Sequence, residues 1–186
     1  MLAVITISAH GNEEAATLEQ MTMEAWKACE AGDGEACFRV SLALDKLPEK
    51  PGTKNEMLQR ACDGGYKFGC SVLAGQFAFG GGAEDKAKAV PLFQKACDLQ
   101  DWRSCASLAT LYFVGSVVPK DLEKASALFQ RACVNGNGAA CGALHGLGMS
   151  YQSGDGVEQS DAKAAECFKH ACAGGHRPAC TALQEH

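Results

Sequence analysis

The sequence predicts an all-α fold, an α/α solenoid of about four helix–turn–helix repeats. Three observations carry this reading. Ten cysteines fall into five pairs, Cys29/Cys37, Cys62/Cys70, Cys97/Cys105, Cys133/Cys141 and Cys172/Cys180, the second member of every pair eight positions after the first. The first members recur at intervals of 33, 35, 36 and 39 residues, the length of a two-helix repeat. The residues around the cysteines recur with the same period, and their apolar positions follow helical i, i+3/i+4 spacing, as in Leu108, Leu111 and Tyr112.

Each element follows from its own pattern. Ahead of the first cysteine of a pair stands a helical run: MLQRAC, PLFQKAC, ALFQRAC, ECFKHAC. We term this helix B. A short polar link follows, DGGYKFGC, DLQDWRSC, VNGNGAAC or AGGHRPAC. Its glycines suit the left-handed turn that ends a helix. Next comes helix A, with small and aromatic residues: CSVLAGQFAFGGG, CASLATLYFVGS, GLGMSYQSGDG. A charged stretch ending in alanine then leads into the next helix B: EDKAKA, PKDLEKA, EQSDAKA. Its Asp or Ser is placed to cap that helix. A lone helix pair cannot bury both its faces, so several must stack.

Composition bounds the function. The chain has 186 residues, 47% hydrophobic and 21% charged, so it can bury a core and is not a disordered tail. A net charge of -5, without runs of like charge, argues against a nucleic-acid binder. No apolar run is long enough to span a bilayer. The apolar stretch Met1–Ile7 lacks a basic flank. Residues 1–12 read either as the remnant of a leader or as a packed N-terminal segment.

The pattern A-C-x-x-L-(A/G)-x-x-(Y/F)-x-x-G…D-x-x-K-A-x-x-L-F-x-K-A-C-x-x-G-x-x-x-A-C resembles the Sel1-like repeat family, a relative of the tetratricopeptide repeats. The cysteine-bearing form is similar to the secreted cysteine-rich proteins of Helicobacter and to cytochrome oxidase assembly factors of the mitochondrial intermembrane space. The likeness spans roughly Ala25 to Leu183. It divides residues 13–186 into a partial helix B, units at 36–62, 69–97, 104–133 and 140–172, and a terminal stub from Ala179. The first unit departs most, with KLPEKPGTKN as its loop, and the fourth has three extra residues after Cys141.

The eight-position spacing crosses the inter-repeat link, so each cysteine pair is expected to bridge helix B to the next helix A, with Cα atoms within ~6 Å. Each bridge would add about 2–3 kcal/mol by the loop-entropy model. Zinc is the rival, but zinc knuckles favour two to four intervening residues, whereas seven intervene here. Bridged cysteines imply an oxidising compartment, periplasmic or secreted, with the mitochondrial intermembrane space as the alternative. Cys167 is the eleventh cysteine and takes the helix B position held by Leu92 and Leu128. It reads as a buried free thiol. A sharper reading joins Cys167, His170, Cys172 and His176 into a metal or haem site, at the expense of the Cys172–Cys180 bridge.

No catalytic set stands out. Ser160–Lys163 matches the S-x-x-K of penicillin-recognising serine enzymes, an activity the resemblance to the Helicobacter proteins brings into view. The same slot in the preceding unit reads KDLEK, so Ser160 also reads as a helix cap. No cofactor and no metal is expected.

The resemblance implies a concave surface lined by helix A. It assigns to this groove Phe38, Leu42, Phe79, Thr110, Phe113, Val114, Met149 and Gln152, with Phe79, Phe113 and Val114 as an apolar patch. Rotating each helix by one position would instead bury these residues between repeats. Trp102 is a second candidate anchor or, alternatively, a cover over the neighbouring bridge. The function expected is a non-catalytic, monomeric scaffold for a protein or peptide partner. The alternatives are a β-lactam or peptidoglycan hydrolase or binding protein, and a haem- or metal-handling assembly factor.

Overall fold

The computed structural model describes residues 20, 22–44, 52–80 and 83–184. Residues 1–12, and the start of the partial helix B, lie outside the described residues. No strand occurs among the described residues. The chain divides into two compact units, Met1–Leu73 and Ala74–His186.

The first unit holds a helix at 22–30 (α1), α2 (Gly34–Ala43), α3 (Lys54–Asp63) and the start of α4 (Lys67–Gly80). Local chemistry fixes the helix starts. Asp33 accepts from the Ala36 backbone N–H at 3.1 Å and so caps α2. Thr53 and Glu56 form a reciprocal capping box on α3. The core gathers Ala25, Cys29, Ala36, Cys37, Val40, Leu44, Met57 and Ala61. Small residues let backbones meet: a Cβ on Gly34 would lie 2.7 Å from the Ala61 carbonyl oxygen and 2.9 Å from Gly64.

The second unit continues α4 and adds α5 (Ala83–Asp98), α6 (Trp102–Val114), α7 (Leu122–Val134), α8 (Gly138–Ser153), α9 (Asp161–Ala173) and α10 (Arg177–Gln184). Successive helices pack on one another from α5 through α10, and α7 also packs on α9. This A-on-B stacking is the solenoid architecture. The loops inside repeats share one geometry. Gly115 and Gly154 take left-handed φ values of 72° and 73° to end α6 and α8. The Asp121 backbone N–H then donates to the Tyr112 carbonyl (3.0 Å), as Ser160 does to Tyr151 (2.8 Å). The three extra residues lengthen α8 to 16 residues against 13 for α6.

All ten paired cysteines are bridged: Cys29–Cys37, Cys62–Cys70, Cys97–Cys105, Cys133–Cys141 and Cys172–Cys180. Each bridge joins the last turn of a helix B to the first turn of the next helix A. The Cα atoms stand only 4.5–4.7 Å apart.

Candidate binding face

Helix A presents the same faces in every repeat. Counted from its cysteine, position +3 is buried in α2, α4, α6 and α8, as Val40, Leu73, Leu108 and Leu144, and position +4 is buried in the first three of these, as Ser41, Ala74 and Ala109. Positions +5, +8 and +9 carry exposed apolar side chains. Leu42 is 61% exposed, Phe79 89%, Val114 58%, Met149 54% and Phe113 37%. Thr110 is exposed, while Phe38 and Gln152 are half-buried. None of the eight is among the fully buried core residues, and Phe38 packs against the edge of the first unit's core.

Among the described residues, the large apolar side chains in solvent are Leu42, Phe68, Val72, Phe79, Phe113, Val114, Met149, Met23 and Val134. All but the last two stand on α2, α4, α6 or α8. The outer faces of α3, α5, α7 and α9 instead carry Gln59 and Arg60, Gln94 and Lys95, Glu123 and Lys124, Glu166 and Lys169. In the first unit the apolar face is aromatic. Phe38 packs against Tyr66 (centroids 5.3 Å apart) and Phe68 (6.4 Å), and Tyr66 meets Phe68 edge-on at 5.5 Å. The sequence reading missed Tyr66 and Phe68. Their signal was the single aromatic-rich link, DGGYKFGC.

Trp102 packs against the core cluster that holds the Cys97–Cys105 bridge. The Arg131 guanidinium lies 5.6 Å over its ring, donates to the Cys97 carbonyl at 3.1 Å and pairs with Asp98 at 3.3 Å. Asn137 donates to the Trp102 carbonyl at 3.3 Å. Half-buried and clamped in this way, Trp102 is tied to the Cys97–Cys105 corner.

The S-x-x-K pair is a helix start. Ser160 accepts from the Lys163 backbone N–H at 3.4 Å and caps α9. The Lys163 ammonium pairs with Glu123 at 3.3 Å and sits 5.6 Å over the Tyr151 ring. This lysine is a repeat feature: Lys88 covers Phe77 at 5.6 Å and Lys124 covers Tyr112 at 5.3 Å. The hydrogen bond to Glu123 raises the Lys163 pKa. A lysine that deprotonates serine needs the opposite shift. A cavity of about 550 Å³ borders the pair, lined by Lys120, Tyr151, Val157, Glu158 and neighbours of both charges.

Cys167 is 3% exposed, with its Sγ 3.8 Å from the Ser126 hydroxyl. Burial pushes its thiol pKa up, which favours the neutral thiol over the nucleophilic thiolate. The set of Cys167, His170, Cys172 and His176 does not assemble. Cys172 is spent in its bridge to Cys180, His170 faces Glu166 at 3.8 Å, and His176 stands beside His145, ring centroids 5.1 Å apart. Burial, and secondarily the neighbouring His176, hold the His145 pKa down. The described residues contain no group of three or more His, Cys, Asp or Glu side chains arranged to hold a metal. None of their helices is long and apolar enough to cross a membrane.

The chain is similar to known proteins. The chain is 34% identical over 82 residues to cytochrome c oxidase assembly factor 7A of Xenopus laevis, covering 43% of this chain and 36% of that protein. A protective antigen present in uropathogenic Escherichia coli strains and displaying an SLR fold aligns with a TM-score of 0.59 at 23% identity, over 87% of this chain and 35% of that one. The chain thus spans about a third of the length of each. The cysteine rich protein B of Helicobacter pylori aligns at 28% identity with a TM-score of 0.41, over 71% of this chain and 98% of that one. The Sel1 repeat model matches residues 71–101, 102–137 and 142–176, more than half of the sequence. The chain belongs to the Sel1 repeat family.

Proposed function

We propose that this chain is a non-catalytic scaffold that binds a protein or peptide through the outward faces of its A helices, as a monomer in an oxidising compartment. One observation carries the reading: exposed apolar side chains concentrate on α2, α4, α6 and α8 while the B helices expose charge. Phe79 and Val114 contribute nothing to the core, so their exposure favours contact with something else. An A-helix face with apolar anchors at helical spacing suits an extended peptide or an amphipathic helix. Ten bridged cysteines favour a periplasmic or secreted site. Similarity to a cytochrome c oxidase assembly factor supports the mitochondrial intermembrane space as the second location.

The test is a peptide-display selection on the oxidised protein, followed by titration against Phe79→Ser and Phe113→Ser. Loss of binding by at least tenfold, with bridges and thermal midpoint retained, supports the face. Selected peptides that bind both variants as well as the parent rule it out.

A further inference from the structure

We propose that His145 and His176 form a two-imidazole site for a late divalent transition metal such as zinc, on the outer side of the last complete repeat. The register of the solenoid brings these residues together although 31 positions separate them. At two links the fourth residue after the cysteine packs toward position +1 of the preceding helix A. In the first unit this pairs Tyr66 with Phe38, ring on ring. At the last link the +1 residue is Gly142, and a Cβ there would meet only His176 Cε1, at 3.8 Å. Replacing a ring by a hydrogen opens the space through which His176 reaches His145. Gly146, on the other side of His145, also faces open space.

The spacing suits chelation. With a Zn–N bond of about 2.0–2.1 Å, a ring centroid lies about 3.2 Å from the ion, so two imidazoles on one tetrahedral ion have centroids about 5.2 Å apart. The observed separation is 5.1 Å, with the rings tilted by 47°. Phe168 backs His145 at 5.5 Å and limits its rotation. Both histidines are half-buried, so one side of the ion would stay open to water or to a further ligand. Imidazole with open positions suits zinc, copper or nickel rather than calcium or magnesium.

The experiment is calorimetric titration of zinc chloride into the full, oxidised chain without a histidine tag. One equivalent should bind, and His145→Ala and His176→Ala should each weaken it at least tenfold. His170→Ala and Cys167→Ser should bind as the parent does. His145→Asn and His176→Gln repeat the test with milder changes, and the thermal midpoint without metal reports folding. Absence of binding to the parent, or binding that survives loss of either His145 or His176, overturns the proposal.

Discussion

Gly174 presents the sharpest steric constraint on the link between α9 and α10. It is the C-cap of α9, with φ of -78°, a conformation open to any residue. Alanine there meets no backbone strain. The obstacle is the previous repeat's bridge: a Cβ would lie 2.6 Å from Cys141 Sγ and closer still to Cys133 Sγ. Carbon and sulfur need more than about 3.5 Å, so the overlap is about 1 Å with Cys141 Sγ and larger with Cys133 Sγ. The sulfurs cannot swing away, because each is locked in the Cys133–Cys141 bond. Relief requires the link or the bridge to move, a form of overpacking that costs about 2–3 kcal/mol.

Gly174→Ala should therefore lower the thermal midpoint by roughly 5–10 °C. It should also speed reduction of Cys133–Cys141 by a monothiol, followed by alkylation and peptide mass mapping. Gly146→Ala is the opposite case. Its Cβ would meet nothing within 4 Å inside α8, and removing a helical glycine should stabilise by about 0.5–1 kcal/mol. Opposite signs for two glycine-to-alanine changes in neighbouring elements isolate the contact with the bridge. A Gly174→Ala protein as stable as the parent, with the bridge no easier to reduce, refutes the argument.

Iodoacetamide should leave the oxidised native protein unmodified and add one adduct after denaturation, at Cys167, as intact mass would report. The thiol pKa is raised by burial above its ordinary 9.0, so the neutral form is favoured in the fold. Its stability contribution is complete below about pH 9 and falls as pH rises through the folded value. Urea titrations at pH 8 and pH 10 should show a steeper alkaline loss for the parent than for Cys167→Ser. Phe79→Ser, at an 89% exposed position, should leave the thermal midpoint unchanged, whereas Phe168→Ala, buried beneath α8, should cost about 3–5 kcal/mol. Ser160→Ala should cost about 0.5–2 kcal/mol of stability through the lost cap and should change no nitrocefin signal.

The fold was legible because its punctuation is local. The cysteine period set the alternation of helices, Ser160 and Asp121 marked starts, and the insertion after Cys141 lengthened α8 by the three residues the sequence carries. Contacts between residues about thirty positions apart were not legible. They depend on how one repeat is offset against the next, which no single helix pattern encodes. Hence Tyr66 and Phe68 were missed beside Phe38, and His176 was grouped with Cys167 along one helix and link when its neighbour is His145. The Lys163 motif was legible for the opposite reason, because its slot recurs. Read alone it resembles a catalytic pair, the KDLEK in the same slot of the preceding unit already marked a helix cap, and the structure adds that Lys88, Lys124 and Lys163 each stand over an aromatic ring.

The division of labour along helix A then follows from what holds the repeats together. The buried positions are filled largely by alanine, cysteine and leucine, with Phe93, Phe129 and Phe168 supplied by the B helices. Bridges of this span contribute about 2–3 kcal/mol each, and lysine-covered aromatics close the loops. Positions such as 42, 79, 114 and 149 are asked for nothing by this framework, yet they carry leucine, phenylalanine, valine and methionine. Large apolar side chains in water add no stability of their own. If they serve a partner, replacing Leu42, Phe79, Val114 and Met149 together by serine should leave unfolding within about 0.5 kcal/mol per site of the parent while abolishing peptide capture. If the quadruple variant instead unfolds early, these side chains support the repeats, and the outward faces of the A helices are not a binding surface.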